Sequence, residues 1–146
     1  LAEATEYAHA RNVKIYVTVN TMPHTCEYER LKKYLIRLNE IGVDALIISD
    51  LGVFTLAREI IPSMEIHIST QASTVSAYTA TTWHKMGAKR VVLARELSMD
   101  EINEIRKNTP STLELECFIH GSMCISYSGR CLLSVQLFWR LFLFGV

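Results

Sequence analysis

The sequence carries no excess of charge: 15 Lys and Arg balance 15 Asp and Glu over 146 residues. That balance excludes a bulk electrostatic grip on nucleic acid and leaves room only for a local basic patch. There is no G-x-G-x-x-G and no Walker loop, so dinucleotide and ATP binding lack their phosphate cradles. H-E-x-x-H and G-x-S-x-G are absent as well, which removes the standard metalloprotease and serine-hydrolase arrangements. The four cysteines include no C-x-x-C pair. The apolar run from Val135 to Val146 holds one charge, Arg140, and is shorter than the ~20 residues that cross a bilayer, so no membrane partner is expected. No signal peptide is evident, and free thiols then fit a reducing, cytoplasmic compartment.

What is present reads as a single folded domain. Hydrophobic residues make up 49% and charged residues 21%, a globular balance. Helical and strand patterns alternate. Residues 1 to 12 read as a helix, Val13 to Asn20 as a strand, and Thr21 to Thr25, with Pro23 and His24, as a loop. The helix Glu27 to Ile41 repeats Leu31, Tyr34, Leu35 and Leu38 and stops at Gly42. Then come a strand from Asp44 to Ser49, a helix from Phe54 to Ile61 ended by Pro62, and a strand from Glu65 to Gln71. A helix from Ala72 to Met86 is closed by Gly87, and Lys89 to Glu96 is a strand. Ser98, with Glu101 three residues on, opens a helix through a capping box. Pro110 precedes the strand Leu113 to His120. Ile41 to Ile48 and Met86 to Leu93 echo each other as helix end, glycine and buried β-run. The pattern predicts an α/β fold: an incomplete (β/α)8 TIM-barrel-like parallel sheet of about five strands over residues 1–134. An open doubly wound sheet is the alternative. Residues 135–146 form an apolar tail, expected as a truncation or frameshift, because the chain also begins inside a helical pattern.

Each strand ends in polar residues: Thr18 and Asn20, Ser49 and Asp50, Ser69 and Gln71, Arg95 and Glu96, then His120. In a parallel barrel these ends share the face that carries active sites, although strand ends that simply meet solvent would also be polar. His67, Ser69 and Gln71 alternate and so point to one side of their strand. After His120 comes a short loop holding Gly121, Cys124, Gly129, Arg130 and Cys131. Cys124 with His120 as base is a possible nucleophile pair, set against a loop histidine bonded to backbone. Arg130 is placed to hold an anionic group. A closed metal site could combine His24, Cys26, Cys124 and Cys131. Cys117 reads as a buried small hydrophobe, and Trp83, Tyr78 and the methionines as core. The catalytic candidates are therefore Cys124, His120, Glu96, Gln71 and His67, and the substrate-binding candidates Asn20, Asp50, Ser69, Arg95 and Arg130.

Glu116, Phe118, Gly121, Ser122, Met123, Cys124, Gly129, Cys131 and Ser134 together resemble the signature of the U32 peptidase family, the collagenase-like proteases. Upstream, Tyr16 to Thr21, Asp50 to Val53, His67 to Gln71 and Arg95 to Ser98 resemble the same family, so the likeness covers residues 1–134. It implies a barrel-type domain and, by family name, a peptidase-type hydrolase acting on peptides. An alternative within the family is a tRNA or rRNA uridine-hydroxylation factor; other members serve oxygen-independent ubiquinone synthesis. Related members hold a [4Fe-4S] cluster on four cysteines, the first two matching Cys124 and Cys131 and the others lying downstream, where this sequence has its apolar tail. An inactive truncated remnant is the third expectation.

Overall fold

A computed structural model of the chain describes residues 1–129. The elements are α1 (Ala2–His9), β1 (Tyr16–Val19), α2 (Tyr28–Ile41), β2 (Ala45–Ile48), α3 (Leu51–Ile60), β3 (Glu65–Ile68), α4 (Ala77–Lys85), β4 (Arg90–Val92), α5 (Met99–Lys107) and β5 (Glu114–Glu116). Short 3-10 turns occupy Thr25–Glu27 and Thr70–Ala72.

All five strands are parallel and lie in chain order, β1-β2-β3-β4-β5. A doubly wound sheet reverses its strand order at a switch point, and this sheet has no reversal. The sequential order is that of consecutive barrel units, as the barrel reading expects.

The period-2 alternation of the strands sorts their side chains between two faces. Leu46, Ile48, Ile66, Ile68, Val91 and Leu93 join one buried cluster with Leu31, Leu35 and Leu38 of α2 and Val53, Phe54 and Ala57 of α3. The spacing of the three α2 leucines puts them on one helical face, and each such side chain removed from water contributes about 1.5–3 kcal/mol. Gly42 ends α2 at φ +79°, a left-handed conformation in which its N–H reaches the last carbonyls of the helix.

The opposite face is polar. His67 is 1% exposed, donates or accepts through Nε2 at 2.8 Å from Glu65 Oε1, and stands edge-on to the Tyr16 ring. Arg90 bonds Glu114 at 2.7 Å and Glu116 at 3.0 Å on the neighbouring strand. These opposed charges add a side-chain link between β4 and β5 beside their backbone pairing.

Several boundaries differ from the sequence expectation. Helix α3 starts at Leu51 rather than Phe54, because Asp50 caps it by accepting the Val53 N–H at 2.9 Å. β3 ends at Ile68, so Gln71 is not on the strand: the Ser69 hydroxyl accepts the Gln71 N–H and starts a turn. Helix α4 starts only after Ser76, its cap, since that turn and the left-handed Ser73 (φ 52°) occupy the preceding residues. Tyr78 is not core but 89% exposed, and Met22, Met86, Met99 and Met123 are exposed too; Met64 alone of the five methionines joins the core. Position one residue into α4 turns Tyr78 outward, while Ala80 and the half-buried Trp83, whose ring meets Phe54, face the sheet. Among the described residues no helix is long and apolar enough to cross a membrane. Arg130, Cys131 and the apolar tail 135–146 lie outside the described residues.

Candidate functional site on the carboxyl rim

The carboxyl ends of the strands gather at one rim, as parallel pairing requires. Asn20, just past β1, donates through Nδ2 to Ser69 Oγ at 2.8 Å, spanning the β2 strand between them. Ser69 is buried and extends the ladder by donating its N–H to the Ile48 carbonyl. Thr70 donates its hydroxyl to the Leu93 carbonyl at 3.1 Å, tying the turn after β3 to the end of β4. Asn20 Oδ1 and Thr74 Oγ1 are buried without a hydrogen-bond partner among the described residues.

Arg95 and Glu96 follow β4 and reach over this floor to the loop after β5. The Arg95 guanidinium donates to the Cys124 and Ser126 carbonyls, the latter at 2.6 Å, and its Nε lies 3.3 Å from Ser128 Oγ. The Arg95 backbone N–H also donates to Ser128 Oγ. Glu96 Oε1 accepts the Ser128 backbone N–H at 2.6 Å. From the other side, Ser73 Oγ donates to the Ser128 carbonyl. Ser128 is consequently 1% exposed although its neighbours are open to solvent. Gly129 sits at φ +72°, where a Cβ would collide with the Gln71 carbonyl oxygen and Ser73 Oγ. Partial burial alone would raise the Glu96 carboxyl, but the Ser128 N–H and hydroxyl and the Arg95 charge outweigh it and hold the group below the usual glutamate range.

Asn20, Ser69, Arg95 and Glu96 stand just past strand ends on this rim, Gln71 sits in the turn after β3, and the Cys124 loop bonds to Arg95. Cys124 and His120 are exposed, and His120 takes no part in the network just described. Asp50 stands after β2 but spends Oδ1 on the α3 cap, and His67 lies within the sheet, its ring nitrogen engaged by Glu65. Ser73, Thr70 and Ser128 are the rim residues that sequence reading missed. Ser128-Gly129 is a turn dipeptide, and that was the one available signal.

The four-ligand site from His24, Cys26, Cys124 and Cys131 is not assembled among the described residues, where no three His, Cys, Asp or Glu side chains converge. His24 and Cys26 belong instead to the turn before α2, closed by the bond from the His24 N–H to Glu27 Oε2. Cys117 is half-buried, and burial followed by the Glu116 charge pushes its thiol up, away from reactivity. Cys26 and Cys124 are the exposed thiols among the described residues, and Cys124 is the one whose loop is tied to Arg95 and Glu96.

A parallel sheet in chain order with a polar carboxyl rim defines a barrel-type α/β protein. The chain belongs to peptidase family U32, whose model matches residues 1–140. It is 49% identical over 127 residues to tRNA hydroxylation protein P of Escherichia coli (strain K12), covering 87% of this chain and 28% of that protein. It is 40% identical over 134 residues to the 23S rRNA 5-hydroxycytidine C2501 synthase of the same bacterium, covering 92% of this chain and 20% of that one. The solved structure of the U32 peptidase Mk0906 superposes with a TM-score of 0.66 over 80% of this chain and 49% of that chain, at 20% identity, a likeness of fold alone. The chain spans less than half the length of these and other curated relatives, from 20% to 42%.

Proposed function

We propose that this chain supplies the carboxyl rim of an RNA-hydroxylation site, with a pyrimidine base of tRNA as the substrate class, rather than a peptidase site. The observation that carries the reading is the 49% identity over 127 residues to a tRNA hydroxylation protein. The geometry agrees with it. A peptidase needs a nucleophile activated by a base, yet Glu96 is committed to the Ser128 N–H and His120 lies outside the network. Net neutrality fits a site that receives one base rather than a surface that grips a long RNA. On this reading the bonded pair Asn20 and Ser69 lines the site, and the loop that carries Cys124 is tied to the rim by Arg95. On this reading the chain works in the cytoplasm, where tRNA is. Cys124 and Cys131 are the cysteines of this chain that would hold the first part of a cluster of the family's pattern.

The test is a chimera in which residues 1–129 replace the aligned segment of the Escherichia coli protein, expressed in a strain lacking that protein. Mass spectrometry of tRNA nucleosides should show hydroxylated uridine, lost in Cys124→Ala, with no release of casein peptides by the purified chimera. Casein cleavage that depends on Cys124, without hydroxylated nucleoside, would contradict the reading.

A further inference from the structure

We infer that Arg95 and Glu96 are positioning residues, which fix the Cys124 loop on the rim through Ser128 and do not themselves contact the substrate. The inference rests on the RNA-hydroxylation reading for its functional arm only. Both side chains bond to the loop, through three guanidinium N–H groups of Arg95 and one carboxylate oxygen of Glu96. The Arg95 guanidinium places all three of its nitrogens on loop acceptors: Nη1 on the Cys124 carbonyl, Nη2 on the Ser126 carbonyl and Nε on Ser128 Oγ. Glu96 Oε1 accepts the backbone N–H of Ser128, two residues past the Ser126 carbonyl. A fork that grips two carbonyls two residues apart fixes the path of the backbone between them, and a lysine, a single compact charge, cannot reproduce it.

The rest of the rim is shaped to receive the same segment. Ser73 adopts a left-handed conformation rare for a side-chain-bearing residue and donates to the Ser128 carbonyl. Thr70 Oγ1 approaches Ser128 Oγ at 3.5 Å. Gly129 leaves room for the Gln71 carbonyl and Ser73 where any Cβ would not. Ser128 is therefore a plug seated in a socket made by the turn after β3 and the end of β4, and Cys124 is held four residues upstream. The glycine and the serine of this stretch serve docking, and the cysteine serves the site.

The test uses hydrogen exchange on the full chain together with hydroxylation kinetics in the chimera. Arg95→Lys should raise exchange of the amides in 122–129 by about tenfold or more, the scale of lost charge-assisted hydrogen bonds, while the amides of Ala45–Ile48 and Glu65–Ile68 stay protected. In the chimera it should lower kcat with KM for tRNA unchanged, because the retained charge still serves any phosphate nearby. Unchanged loop exchange with a raised KM would overturn the inference and make Arg95 an RNA contact. Should Arg95→Lys also expose the strands, Ser128→Ala decides from the loop's side: loop-only exchange supports the clamp, and full protection overturns it. If the unaltered chimera makes no hydroxylated nucleoside, the RNA reading fails, and the exchange arm still decides the clamp.

Discussion

The Glu96 carboxylate accepts the Ser128 backbone N–H at 2.6 Å across 32 positions of sequence. Because this bond and the Arg95 charge keep Glu96 below its ordinary range in the folded chain, the docked loop favours the ionised form. Docking is then complete above the ordinary glutamate range and is lost as pH falls through the lowered native value. Protection factors of the 124–129 amides should fall on acidification in the wild type and stay level in Glu96→Gln, whose amide oxygen still accepts but does not titrate. Equal acid sensitivity in both proteins would show that another group governs the loop.

Gly129→Ala combines a positive φ of +72° with a Cβ that meets the Gln71 carbonyl and Ser73. The strain should cost about 1–3 kcal/mol, spent locally by undocking. Loop amides should exchange faster while the thermal midpoint of the sheet moves little. A uniform loss of stability would place Gly129 in the global fold instead.

Asp50 separates a cap from a substrate contact. Asparagine caps as well as aspartate does, whereas alanine costs about 0.5–2 kcal/mol. Asp50→Asn should therefore keep both stability and hydroxylation in the chimera, and Asp50→Ala should lose stability first. Activity lost in Asp50→Asn at full stability would restore Asp50 to the substrate.

The core makes a larger prediction. Leu35 is fully buried between α2 and the sheet, so Leu35→Ala should lower unfolding free energy by about 2–5 kcal/mol. Urea denaturation reads this as a lowered midpoint with an unchanged slope.

The order of elements was legible because the β-runs are short, apolar and punctuated. Gly42 stops α2 as its position suggests, and Ser98 and Glu101 form the capping box their spacing announces, with the Ser98 N–H 2.8 Å from Glu101 Oε2. Element starts were less legible. Gly52 has weak helix propensity, and only the Asp50 cap reveals that α3 begins before it; the Ser69 hydroxyl ends β3 by offering the backbone a turn. Polar strand ends pointed correctly to one rim. What they could not show is which rim groups are already engaged, since Ser73 and Ser128 are separated by 55 positions and meet only in three dimensions. Arg95 and Glu96 look like free charges in the sequence, and the fold gives both of them to the Cys124 loop.

The most direct measurement is the yield of hydroxylated tRNA nucleoside set against loop protection for the wild-type chimera, Glu96→Gln, Ser128→Ala and Arg95→Lys. Yield should fall together with protection, least in Glu96→Gln and most in Arg95→Lys, at constant tRNA affinity. A variant with a released loop and full yield would contradict a site built around the seated Ser128 and the thiol it positions.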